Sequence, residues 1–143
     1  MATTQFEPTD ARRAFPCLDE PGLKATFSLS LSAPKGFHAL SNMPIQSTDQ
    51  LDHGVQKYHF QTTKRMSSYL VAFVVSNFES VAGKTSRGIN VAIWTQQGKK
   101  ELGRYALQVA IAVLDYYEKA YQVTYPLPKV CFSKTKLTFD RVT

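Results

Sequence analysis

The residues best suited to chemistry lie near the start of the chain. Gln5 and Glu7 are separated by one residue. In an extended segment successive side chains point to opposite sides, so both would project on the same side, about 7 Å apart along the chain. A carboxylate with an amide beside it can hold a protonated amine through a charge-assisted hydrogen bond. A turn-capping Glu next to a solvated Gln uses the same two residue types, and composition alone favours that blander role. Downstream, Arg12, Arg13, Asp19 and Glu20 form a mixed-charge set. Its expected role is structural: mutual salt bridges fixing an irregular loop, worth about 0–1 kcal/mol each when exposed. That role is favoured over catalysis by the Asp19–Glu20 pair.

Other chemistries find little support. A zinc-binding helix needs two histidines four residues apart with a Glu beside the first. His38, His53 and His59 do not have that spacing, so no metal ligand and no metal site is expected in the chain. There is no Gly-x-Ser-x-Gly elbow, and no catalytic residue is assigned. Cys17 and Cys131 form no Cys-x-x-Cys pair, and Cys17, between Pro16 and Leu18, reads as a buried structural thiol. Gly83 and Gly88 bracket a hairpin tip and not a phosphate-binding loop.

These residues sit in a chain of 143, 43% hydrophobic and 12% aromatic. That composition argues for a folded globular chain of roughly one domain and against disorder. The net charge is +6, but the basic residues occur as pairs (Arg12-Arg13, Lys64-Arg65, Lys99-Lys100) and never as a run. A solvated basic surface is therefore expected, with no nucleic-acid partner. No apolar run approaches the roughly 20 residues of a membrane-spanning helix, so no membrane segment is expected. The N-terminus lacks the basic start and apolar stretch of a signal peptide, and localisation is left open.

The pattern along the chain predicts a mainly β fold followed by one long helix. Pro8, Pro16, Pro21 and Gly22 keep the first stretch irregular, with short extended pieces. From Ala25 to Ser32 apolar residues alternate with Thr and Ser, the mark of a half-buried strand. Short strands are also expected over Phe37–Met43, Val55–Thr62 and Ile89–Trp94, with a strand buried on both faces over Tyr69–Val75. Gln46 to Gly54 reads as a surface loop. Together these indicate an antiparallel β-sandwich. After Thr95 the period changes: Leu102, Tyr105, Ala106, Val109, Val113, Tyr116 and Ala120 define one face of a helix spanning Lys99 to Tyr121. A short strand is expected around Leu137–Phe139.

The segment Thr4-Gln5-Phe6-Glu7-Pro8-Thr9-Asp10-Ala11-Arg12-Arg13-Ala14-Phe15-Pro16-Cys17-Leu18-Asp19-Glu20-Pro21 resembles the zinc aminopeptidases of the aminopeptidase N and puromycin-sensitive type. The likeness continues through Lys24-Ala25-Thr26-Phe27, Leu40-Ser41-Asn42-Met43-Pro44, Met66-Ser67-Ser68-Tyr69-Leu70-Val71-Ala72-Phe73 and Tyr125-Pro126-Leu127-Pro128-Lys129. Several motifs in register make the match specific. The resemblance implies that residues 1–93 are the C-terminal part of the family's N-terminal β-sandwich, or saddle. Residues 94–130 would begin its thermolysin-like catalytic domain, and residues 131–143 would be a divergent tail.

The resemblance further implies that Gln5 and Glu7 line the substrate pocket, with Glu7 binding the free α-amine of a peptide. The family's Gly-Ala-Met-Glu-Asn and His-Glu-x-x-His motifs, the second of which supplies zinc in the full-length proteins, do not occur in this sequence. The expectation is a segment of an aminopeptidase that recognises a peptide N-terminus, holds no zinc and is inactive alone. The alternative is a truncated non-catalytic isoform acting as an interaction module, pairing with full-length aminopeptidase or another protein.

Overall fold

The computed structural model of the chain describes residues 1–133, which divide into two compact units at Asn77–Phe78. The first unit contains β1 (Ala2–Thr3), α1 (Ala11–Ala14), β2 (Ser30–Pro34), β3 (His38–Ser41), β4 (Ile45–Gln50), β5 (Val55–Phe60) and β6 (Phe73–Ser76). The second contains β7 (Glu79–Lys84), β8 (Asn90–Thr95), α2 (Gly103–Tyr121) and β9 (Lys129–Ser133). The expected class holds: β-rich, mainly antiparallel, with one long helix after the strands. The units divide before β7, whereas the change of period near residue 94 marks the passage from strand to helix.

Two three-stranded antiparallel sheets make up the first unit, in the orders β1-β6-β3 and β2-β5-β4. The alternation before Pro34 behaves as a strand should. Phe27, Leu29 and Leu31 are half-buried and Ala33 is buried, while Ser28, Ser30 and Ser32 face out. Regular pairing starts only at Ser30, because Thr63 intervenes upstream: its side-chain oxygen accepts from the Phe27 N–H at 2.9 Å in place of a backbone carbonyl.

The loop expected over residues 46–54 is for the most part the edge strand β4, all six residues of which are exposed. With no buried face it shows no apolar alternation, which hid it. Polar bonds run across this sheet: Ser30 Oγ of β2 lies 2.8 Å from His59 Nδ1 on β5, and His59 Nε2 lies 2.9 Å from Asp49 Oδ2 on β4. The single strand expected over Tyr69–Val75 is instead a 3-10 turn, Ser68–Leu70, followed by β6.

In the second unit, β7 and β8 form an antiparallel hairpin, and β9 pairs with β8 in parallel. A parallel neighbour needs a crossover, which α2 provides. Sequence pattern read no strand at Lys129–Ser133 and so missed β9. The strand expected around residues 137–139 lies outside the described residues. Asp115 on α2 reaches the hairpin tip, where its Oδ1 accepts from the Ser86 N–H at 3.0 Å and from Ser86 Oγ at 2.8 Å.

The helix occupies the predicted span, with a 3-10 turn over Lys100–Leu102 leading into it. Its packed face is not the expected one. Gly103 is buried and Leu107, Ile111, Leu114 and Glu118 are half-buried, whereas Leu102 is 74%, Tyr105 76% and Tyr116 65% exposed. The helix carries apolar stripes on opposite sides, and periodicity cannot choose between them. Close approach decides: a Cβ on Gly103 would lie 3.0 Å from Val81 and 3.3 Å from Ile93. Among the described residues, no helix is long and apolar enough to cross a membrane.

Candidate functional site

Two anchors hold the segment carrying Gln5 and Glu7. On its N-terminal side, β1 pairs with the edge of β6, Ala2 opposite Val75 and Thr3 opposite Val74. Thr4 extends that pairing: its N–H donates to the Phe73 carbonyl at 3.2 Å, and its Oγ1 accepts from the Phe73 N–H at 3.0 Å. On the C-terminal side, the Asp10 N–H donates to the Phe6 carbonyl at 2.9 Å, closing a turn that runs into α1. Proline suits such a turn, and the Glu7–Pro8 peptide bond is cis.

Between the anchors the burial pattern is simple. Phe6 is 6% exposed and packs edge-on against Phe15 and Phe73, with ring centroids 6.0 and 6.2 Å away. Gln5 and Glu7, on either side of it, are both exposed. Phe6, Ala11 and Val71 form the buried cluster, with Phe15, Cys17, Phe27, Met66, Tyr69 and Phe73 packed around it. Cys17 is a partly buried free thiol in that shell.

The mixed-charge set keeps a structural Arg12–Asp19 ion pair, as expected, but not the expected exposure. Asp19 is buried, not part of an exposed ion-pair set, with its side chain only 1% accessible. Its Oδ1 accepts from the buried Ser68 hydroxyl at 2.6 Å. Its Oδ2 accepts from the Arg12 backbone N–H at 3.1 Å and from Arg12 Nε at 3.3 Å. The Arg12 guanidinium also donates to the Asp19 carbonyl at 3.0 Å. Arg13 turns to Asp10 instead, 3.4 Å away on the surface. Ser68 lies 49 residues from Asp19, so no local pattern reveals the pair.

The Ser68 hydroxyl chiefly, then the Arg12 backbone N–H and guanidinium, hold the Asp19 carboxyl below the usual range against the opposing effect of burial. A carboxyl whose folded pKa is depressed stabilises above its unfolded value, about 3.9, and that contribution fades as pH falls through the folded value. Denaturation midpoints of the chain and of Asp19→Asn should therefore differ by a constant amount above about pH 5 and converge below about pH 4.

The histidines are dispersed over β3, the 3-10 turn Asp52–Gly54 and β5. Among the described residues no group of three or more His, Cys, Asp or Glu could hold a metal ion.

Residues 1–70 match the family model described as the Peptidase M1 N-terminal domain. The chain is similar to human endoplasmic reticulum aminopeptidase 2, 47% identical over 130 residues, covering 91% of this chain and 14% of that protein. It is 44% identical over 129 residues to mouse endoplasmic reticulum aminopeptidase 1, covering 90% of this chain and 14% of that protein. It is 47% identical over 130 residues to aminopeptidase M1 of Arabidopsis thaliana, covering 91% of this chain and 15% of that protein. The chain thus spans about one seventh of the length of these curated relatives.

Proposed function

Since the chain belongs to the M1 aminopeptidase family through that family's N-terminal domain, we propose that its Gln5–Glu7 segment receives the protonated amino terminus of a peptide. The observation that carries this reading is the placement of both polar side chains, exposed on either side of buried Phe6, on a backbone held at both ends. Only the first residue of a peptide bears a protonated α-amine. A fixed carboxylate that takes this group therefore measures one residue from the peptide's end. Glu7 supplies the charge and Gln5 the neighbouring amide.

In this reading the chain is an amine-recognition segment of an aminopeptidase and does not hydrolyse peptides by itself. The zinc implied by the family has no donor set among the described residues, and the sequence carries no His-Glu-x-x-His motif. No step through a metal is assigned to this chain.

The test is a titration of the isotope-labelled chain with leucinamide, followed by amide chemical shifts. Saturable shifts at Gln5, Phe6 and Glu7 are expected, absent with N-acetyl-leucinamide, whose nitrogen carries no charge. Glu7→Gln should weaken binding about tenfold or more, as expected for loss of a charge-assisted bond. Equal responses to the free and acetylated compounds would refute the reading.

A second reading is favoured by one observation, the outward apolar stripe of α2. Beside it lies a groove of about 790 Å³ lined by Ile93, Leu102, Val109, Val113 and Phe132. Such a surface suits an interaction module that associates with full-length aminopeptidase. Light scattering on a mixture of the two should show a complex that Tyr105→Glu with Tyr116→Glu abolishes. Two separate monomers at all concentrations would reject it.

A further inference from the structure

We propose that Asp19 is the positioning residue of the amine-binding segment: its buried carboxylate fixes α1, and through α1 the turn that aims Glu7. This rests on the amine reading for its consequence but on separate geometry for its cause. A buried carboxylate without partners is strongly disfavoured, and this one is surrounded by donors from two stretches, one 7 and one 49 residues away. Ser68 comes from the 3-10 turn that precedes β6, the strand to whose first residue Thr4 is bonded. Arg12 comes from α1, and both its main-chain N–H and its guanidinium group are engaged.

The connection to Glu7 is short. Arg12 follows Ala11, which is fully buried. The helix continues from the turn in which Arg13 N–H meets the Asp10 carbonyl at 3.1 Å and Asp10 N–H meets the Phe6 carbonyl at 2.9 Å. Glu7 lies inside that turn. Its orientation therefore depends on where α1 sits, and Asp19 is the polar group that ties α1 to the body of the first unit. Phe6 fixes the depth of the segment, whereas the Asp19 network fixes its direction. Gln5, on the side of the Thr4 anchor, depends on Asp19 less.

Asp19→Asn tests this in the full chain. The amide offers one acceptor oxygen where the carboxylate offers two, and it brings no charge to the Arg12 guanidinium. Without ligand, the amide resonances of Glu7 and of Thr9 to Arg12 should move toward random-coil positions while those of β2, β4 and β5 stay in place. Leucinamide affinity should fall about tenfold or more, while Asp19→Glu, which keeps the charge, should recover part of the loss. Ser68→Ala, a smaller change at the other end of the network, should produce the same local pattern in weaker form. It is the deciding variant if Asp19→Asn does not fold.

Unchanged Glu7–Arg12 resonances in a folded Asp19→Asn or Ser68→Ala chain would overturn the proposal, whatever leucinamide does. Displaced resonances with undiminished leucinamide affinity would overturn it as well. If the native chain fails to bind leucinamide while the variants still displace Glu7–Arg12, the amine reading falls and the positioning of the segment by Asp19 stands.

Discussion

Phe6→Ala should lower the stability of the first unit by about 3–5 kcal/mol, read as a drop in the denaturant midpoint with little change in slope. Phe6 is the aromatic centre of its cluster, with Phe15 at an interplanar angle of 76° and Phe73 at 67°. Edge-to-face pairs add to the effect of burial itself, so truncation loses ring–ring attraction and leaves a void. Small domains have about 5–15 kcal/mol to lose, so the variant should be marginal at room temperature. Leu18→Ala is the control: Leu18 is 72% exposed, and the change should stay within about 0.5 kcal/mol. Phe6→Leu keeps most of the volume and should fall between the two. If Phe6→Ala matched Leu18→Ala, the placement of the Gln5–Glu7 segment over a packed core would be wrong.

Gly103→Val should destabilise the second unit by about 1–3 kcal/mol or more, because it drives a branched side chain into the sheet. The Cβ alone would meet Val81 Cγ2 at 3.0 Å and Ile93 Cγ2 at 3.3 Å, both short, stiff side chains on paired strands. Gly103→Ala divides these effects. It gains up to about 1 kcal/mol of helix propensity and loses a comparable amount to crowding, so it should be close to neutral. Gly83 provides the contrast: its Cβ would lie 2.9 Å from Ile111 Cδ1, the far end of a flexible chain that can turn aside. Gly83→Ala should therefore be tolerated. Thermal unfolding should rank Gly83→Ala above Gly103→Val. The reverse order would mean that α2 does not approach the sheet through Gly103.

What the sequence disclosed depended on whether each element has one buried face. The stretch before Pro34 alternates because one side is covered, and its alternation survives in the fold. β4 has no covered side, so its six residues carried no signal and read as loop. The helix was legible in span but not in orientation, because Tyr105 and Val109 on one side are as apolar as Leu107 and Ile111 on the other. Parallel β9 was hidden because its partner lies across a helix, and pairing over that distance leaves no trace in local pattern.

The candidate site shows the same division. The spacing of Gln5 and Glu7 predicted two side chains on a common side, and both are exposed around buried Phe6. The burial of Asp19 could not be seen, because its main partner, Ser68, enters from far along the chain. Charge pattern suggested a surface cluster, whereas the fold divides it: Arg12 turns inward to Asp19, and Arg13 stays outside with Asp10.

The pairing of Ala2 with Val75 has a consequence for biosynthesis. Residues at β1 find their partner strand only after more than seventy others have been added. Until then this segment carries Phe6 and Phe15 uncovered, which makes it a target for chaperones that hold exposed aromatic segments. Completion of this unit is thus timed by the emergence of β6 and not by that of β1.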